Sequence, residues 1–237
     1  MTAELLAVLP KPMMPELRSG ASLAAPLGSA YFADESVTII NGDSREVLPT
    51  LERAALILTD PPYGVNLEYD TWQDTEANWY ELMDAMLPLM RVQAQMVICV
   101  SCQIKRLEWV YRNHAPDWLI AWHKGSPGHV SYVGFNDWEP LLVYGKPQGL
   151  AMHDYMSIPN TERMGGNGHP CPKPEKWATW LIERATKPGD LVIDPFMGSG
   201  TTLRAAKDLN RRAIGIDLSA KYCEIAKQRM SQSVFAW

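Results

Sequence analysis

Asp60-Pro61-Pro62-Tyr63 follows the apolar run "AALILT" and sets a carboxylate directly before a turn that cannot bend freely. Proline fixes φ and has no N–H to donate, so Pro61 and Pro62 can continue neither a helix nor the interior of a sheet. The residue before a proline is driven towards extended geometry, which carries the Asp60 carboxylate beyond the end of the strand. On its own the segment also reads as a strand followed by a proline turn. A second stretch with chemical potential is "DPFMGSGTT", residues 194–202, where Gly198 and Gly200 flank Ser199 and Thr201 follows. Glycine lets a ligand approach the backbone closely, and a helix opening just after it offers free N–H groups. A phosphate-binding loop requires Gly-Lys-Ser/Thr, whereas Gly200 is followed by Thr201 and Thr202; a dinucleotide fingerprint requires a third glycine where Leu203 stands. Asp217 ends the next apolar run, about 20 residues after the loop, the spacing at which a carboxylate accepts hydrogen bonds from ribose hydroxyls. "DLSAKY" also reads as a helix start capped by Asp217. Loop and acid together fit a nucleoside-bearing cofactor without a pyrophosphate.

These residues need a scaffold, and one pattern supplies it four times. "VTIINGD", "AALILTD", "LVID" and "AIGID" end on Asp43, Asp60, Asp194 and Asp217. Continuous apolar runs mark strands buried on both faces, as in parallel sheets, so the four acids line one sheet edge. Between the runs, Trp79, Leu82, Met83, Met86, Leu87 and Met90 recur at helical spacing behind an Asp74 or Thr75 cap, a stripe that reads as core. Residues 175–186 and 220–231 show the same period, and further strands are expected at 96–101, 118–123 and 139–144. Alternating strands and helices predict a doubly wound α/β sheet, whose ligands bind outside the carboxyl ends of the strands.

The 237 residues are 46% hydrophobic, enough for one sizeable core. Residues 1–30 read as an arm outside that core, possible in a disordered form, and 31–237 as one domain. Twenty-two basic against 27 acidic residues give a formal net charge of -5, which excludes a generally basic nucleic-acid coat but not a local basic groove. Cys99 and Cys102 in "VICVSC" have no second CxxC or His pair beside them and read as buried thiols, with no metal site, in a reducing cytoplasm. No apolar stretch approaches the roughly 18 residues needed to span a bilayer, and Glu4 and the prolines of the first 20 residues are unlike a secretory signal.

Three motifs in order, "DPPY" at 60–63, "HPCPKP" at 169–174 and "DPFMGSGTT" at 194–202, resemble the beta group of S-adenosylmethionine-dependent DNA amino-methyltransferases, which methylate adenine N6 or cytosine N4. The resemblance runs from about Val37 to Arg229. It implies a Rossmann-like, mostly parallel, seven-stranded methyltransferase sheet with circularly permuted motif order, a change that sheet contacts tolerate. Carried over by position, the methionine end of S-adenosylmethionine lies near Asp194, Phe196, Gly198, Ser199, Gly200 and Thr201, its ribose on Asp217 and its adenine by Asp43. His169 and Lys173 match a segment closing over the methionine side, where Lys173 suits a carboxylate; Asp60 borders both cofactor and target.

The resemblance gives Asp60, Pro61, Pro62 and Tyr63 the catalytic role. An exocyclic amino nitrogen is a poor nucleophile because its lone pair is delocalised into the base. If Asp60 and the Pro61 carbonyl accept its two N–H bonds, the nitrogen can pyramidalise and attack the sulfonium methyl. The base must leave the duplex, at a cost of a few kcal/mol, and stacking on Tyr63 returns about 1–3 kcal/mol. A small target-recognition insert is expected around 124–168, with Phe135 or Trp138 as a second stacking face and Arg163 in the segment that reads sequence. Lys105, Arg106, Arg112, Lys124 and Arg163 are candidate phosphate contacts. The aspartate form of the tetrapeptide looks more like the adenine-N6 enzymes, with cytosine N4 as the alternative and a non-catalytic nucleotide-binding regulator as the reading from another class. DNA is the implied partner, a homodimer is possible, and a restriction endonuclease partner is not readable.

Overall fold

A computed structural model describes residues 30–100, 103–125, 130–131, 134–147, 153–159 and 173–231. Residues 1–29 of the expected arm, Cys102, Arg163, His169 and parts of the recognition insert lie outside the described residues. In chain order the strands are β1 (Phe32–Ala33), β2 (Val37–Asn41), β3 (Ala54–Thr59), β4 (Ala94–Cys99), β5 (Trp118–His123), β6 (Val130–Ser131), β7 (Gly134–Phe135), β8 (Trp138–Gly145), β9 (Tyr155–Ser157), β10 (Leu191–Asp194) and β11 (Arg212–Asp217). The helices are α1 (Ser44–Val47), α2 (Glu76–Gln93), α3 (Leu107–Asn113), α4 (Glu175–Ala185), α5 (Thr201–Asp208) and α6 (Ala220–Ser231).

One sheet has the order β1-β2-β11-β10-β3-β4-β8-β5-β9, and β6 and β7 form a separate antiparallel ribbon. From β2 to β4 all neighbours are parallel, and β8 runs antiparallel to both β4 and β5. The seven long strands match the expected number. To them are added β1, two residues antiparallel to β2, and β9, three residues parallel to β5, both too short to leave a periodic signal.

β3 shows why the runs are continuous. Successive side chains in a strand point to opposite faces. Leu56 and Leu58 join a core with Trp177 and Leu181 of α4, Leu203 of α5 and Ala226 of α6. Ile57 joins the opposite core with Trp79, Met83, Met86 and Met90 of α2. Both faces are covered, so neither can be polar. The methionine stripe is core, as its spacing predicts, and Thr75 rather than Asp74 caps α2, accepting from the Asn78 amide.

The strands' carboxyl ends coincide with the four acids: Asp194 and Asp217 close β10 and β11, Asp60 follows β3, and Asp43 stands two residues past β2. The loop after β10 sits directly on β11, where the Met197 amide donates to the Ile216 carbonyl at 3.1 Å. Gly215 permits this approach, since a Cβ there would lie 2.5 Å from Met197 Sδ and 2.6 Å from Leu203 Cδ2. Among the described residues no helix is long and apolar enough to cross a membrane, and no group of three or more His, Cys, Asp or Glu could hold a metal ion. Gly215→Val should lower stability by about 1–3 kcal/mol through overpacking, measured as a lower urea midpoint at unchanged m.

Candidate active site

The site forms where β3, β10 and β11 end side by side. At the end of β3 the buried Thr59 hydroxyl donates to Asp194 Oδ1 at 2.7 Å, tying two strand ends together. The Asp60 carboxylate, next in the chain, is held from two directions. Tyr63 Oη donates to Oδ1 at 2.8 Å, and Lys173 Nζ donates to Oδ2 at 2.6 Å. The ammonium, on a side chain 6% exposed, also lies 5.0 Å from the centre of the Tyr63 ring. Tyr63 Oη stands 3.4 Å from Glu139 Oε2, and Lys124 Nζ donates to Glu139 Oε1 at 3.0 Å. Two ion pairs, Lys124–Glu139 and Lys173–Asp60, thus flank one phenol, each turning its carboxylate towards it.

The glycine loop provides the other wall. Gly198 and Gly200 have φ of 49° and 80°, and Gly200 caps α5 in the left-handed region that side chains disfavour. The Phe196 amide donates to Asp194 Oδ1 at 3.1 Å. Asp217 accepts from the Gly198 amide on one oxygen at 3.0 Å and from the Ser219 amide on the other at 2.9 Å. Burial pushes the Asp194 carboxyl up to about 7, against hydrogen bonds from Thr59, Thr202 and Phe196 and with help from the Asp60 charge. Burial also raises Asp217 to about 6, opposed by its two amides. Asp43 caps α1 and is chelated by the Arg45 guanidinium at 3.0 and 2.5 Å, which holds it below the usual carboxylate range.

Two lobes open from this junction. One, an open cleft, is lined by Asp43, Arg45, Trp72, Asp217 and Tyr222. The other, a smaller recess, is lined by Lys173, Trp177, Asp194, Ser199, Thr201 and Thr202. Asp60, Phe196 and Gly198 border both. One lobe combines carboxylates with aromatic walls; the other combines an ammonium with hydroxyls. Trp72 lines one lobe and Trp177 the other, and the indole nitrogen of each is buried without a hydrogen-bond partner among the described residues.

The structure brings together Asp43, Asp60, Pro62, Tyr63, Lys173, Asp194, Phe196, Gly198, Ser199, Thr201 and Asp217 from the sequence reading. It differs for the basic residues. Arg106 is 1% exposed and donates to the carbonyls of Tyr63 and Gly64, so it cannot meet a phosphate. Lys124 is paired with Glu139, Arg112 with Glu108 and Lys105, at 4.0 Å, with Glu76. Lys173 is paired with Asp60. Trp138 is 37% exposed at the start of β8, and Phe135 belongs to β7. Thr59, Glu139, Arg45 and Trp72 escaped sequence reading; only Thr59, adjoining the tetrapeptide, carried a positional hint.

Asp194 gives a pH test. Its folded pKa, raised from 3.8 to about 7, means that the fold favours the protonated form. The stability this group contributes is therefore complete below its ordinary pKa and is lost as pH rises through about 7. Urea denaturation from pH 4 to 8 should show wild type losing stability relative to Asp194→Asn as pH rises.

Comparison with known proteins agrees with this geometry. Residues 123–228 match the family model for N6/N4 DNA methylases. The type II methyltransferase M2.LlaDCHI of Lactococcus lactis subsp. cremoris is 44% identical over 248 residues, covering 85% of this chain and 92% of that protein. The fold is shared with the cytosine-N4-specific PvuII DNA methyltransferase, at 17% identity and a TM-score of 0.68, over 88% of this chain and 91% of that one. It is shared also with M1.HpyAVI, solved as a complex with S-adenosylmethionine, at 24% identity and a TM-score of 0.61, over 83% of this chain and all of that one. The chain belongs to the N6/N4 family of DNA methylases, whose methyl donor is S-adenosylmethionine.

Proposed function

We propose that the protein methylates the N6 amino group of adenine, in a base flipped out of specific DNA sites. The observation that carries this reading is the Asp60 carboxylate, fixed where the two lobes meet and followed by a diproline turn. S-adenosylmethionine supplies an electrophilic sulfonium methyl. The residues assigned to hold it are Asp217 at the ribose, Asp43 beside the adenine, and Asp194, Phe196, Gly198, Ser199, Gly200, Thr201, Lys173 and His169 around the methionine end.

The chain's own work is to make the target amine nucleophilic. Asp60 and the Pro61 carbonyl accept its N–H bonds, and Asp60 stabilises the positive charge that develops on nitrogen. The Tyr63 ring is the stacking face, its tilt restricted because its hydroxyl is bound to Asp60. Lys173 neutralises Asp60 until another acceptor arrives; a methionine carboxylate would supply one, freeing Oδ2 for the amine. Phe135 and Trp138 are assigned to the rim of the base pocket, and Arg163 to sequence reading. Lys124 is assigned to orienting Glu139. An acceptor at this junction has no use in a nucleotide-binding regulator. The carboxylate, where a hydroxyl would mark the cytosine-N4 form, favours adenine.

Incubation with labelled S-adenosylmethionine and mixed duplex DNA, followed by digestion, should yield N6-methyladenine. Label on cytosine would overturn the adenine assignment, and no label on DNA would overturn the reading. Asp60→Ala should cut turnover by at least ~10²-fold while S-adenosylhomocysteine still binds. If Asp217 holds the ribose as a carboxylate, adenosine affinity should fall as pH drops through about 6, and Asp217→Asn should remove that dependence.

A further inference from the structure

We infer that Asp74 and Arg106 are positioning residues that clamp the catalytic turn from outside, holding its amides and its carbonyls respectively. The inference rests on the proposed role of Asp60 to Tyr63. Asp74, 3% exposed, accepts on its carboxylate from three backbone amides of the segment after Tyr63: Gly64 N at 2.5 Å on Oδ1, and Val65 N at 3.0 Å and Leu67 N at 3.1 Å on Oδ2. Its own carbonyl accepts from Asn66 N at 2.7 Å. A buried carboxylate with three amide donors is satisfied without a counter-ion and cannot move without stranding them.

Arg106 takes the other half of the same backbone. Its Nη1 donates to the Tyr63 carbonyl and its Nη2 to the Gly64 carbonyl at 2.8 Å. The guanidinium lies over the Trp79 ring, 4.6 Å from its centre, with Glu76 Oε1 3.6 Å from Nε. Its planar fork matches two adjacent carbonyls in a way a lysine ammonium cannot. Between the two clamps Gly64, at φ +65°, lets the turn press on α2; a Cβ there would lie 2.6 Å from Trp79 Cβ. The prolines stiffen the turn from within, whereas Asp74 and Arg106 fix where it points. Arg106 fixes the Tyr63 carbonyl, and hence the ring whose hydroxyl anchors Asp60.

A purely structural role and a positioning role predict different kinetics. Asp74→Asn, Arg106→Met and Arg106→Lys are to be assayed well below their melting temperatures, with active sites counted by S-adenosylhomocysteine binding. Single-turnover transfer per cofactor-competent site should fall ~10²-fold in Asp74→Asn and Arg106→Met, the scale of a small misplacement of reacting groups. Arg106→Lys should be intermediate, while the affinities for S-adenosylhomocysteine and DNA stay near wild type. Variants that transfer methyl at the wild-type rate per competent site, or that lose only ligand affinity, would overturn the clamp. A wild type that transfers nothing to DNA would instead overturn the proposed function. Should Arg106→Met fail to fold, Asp74→Asn and Arg106→Lys decide by the same rates.

Discussion

In the proposed reaction the Asp60 carboxylate, at the end of a buried strand, has to be held in place and still remain available as an acceptor. Those demands conflict, because a carboxylate removed from water is destabilised unless donors surround it, and surrounding donors occupy its lone pairs. Lys173 and Tyr63 resolve the conflict with two side chains that can each be partly replaced by an incoming N–H. A fixed wall of backbone amides could not yield in this way. Most of the architecture serves that one group. β3 brings it to the sheet edge, the prolines hold its backbone extended, and the segment before α4 delivers the lysine from 113 residues away.

The surrounding acids need separation as well as proximity. Asp60, Asp194 and Asp217 crowd one edge of a parallel sheet, yet each meets a different set of donors. Asp194 is held by hydroxyls and an amide, Asp217 by two amides, and Asp60 by a phenol and an ammonium. Burial raises Asp194 and Asp217, whose charges therefore come late in pH and are best tolerated when a ligand's hydroxyl or ammonium groups arrive. The polar interior of the site is consistent with a cationic methyl donor and a neutral amine meeting near Asp60.

How much of this was legible depends on whether a residue's environment is set locally. The core strands were legible because burial on both faces leaves an uninterrupted apolar run, as in Leu56, Ile57 and Leu58. The tetrapeptide and the glycine loop were legible because proline and glycine act on their own backbone. Arg106 was not: a basic residue in sequence carries no sign that a fold will bury it beneath a turn 43 positions away. Asp74 stood beside a helix start and looked like a cap, whereas its carboxylate faces backward to Gly64, Val65 and Leu67. The partners of Lys124 and Lys173 likewise come from tertiary packing. β1 and β9 are stabilised by pairing with a neighbour more than by any propensity of two or three residues.

The central claim is that the acceptor pair stands ready before the target arrives. It is tested most directly by a crystal structure of the protein with S-adenosylhomocysteine and a duplex containing its recognition site. Asp60 and the Pro61 carbonyl should each lie at hydrogen-bond distance, about 3 Å, from one exocyclic nitrogen, with the Asp60 to Leu67 backbone as it is here and Lys173 withdrawn from Oδ2. A turn rebuilt around the base, or an amino group bound away from Asp60, would contradict it.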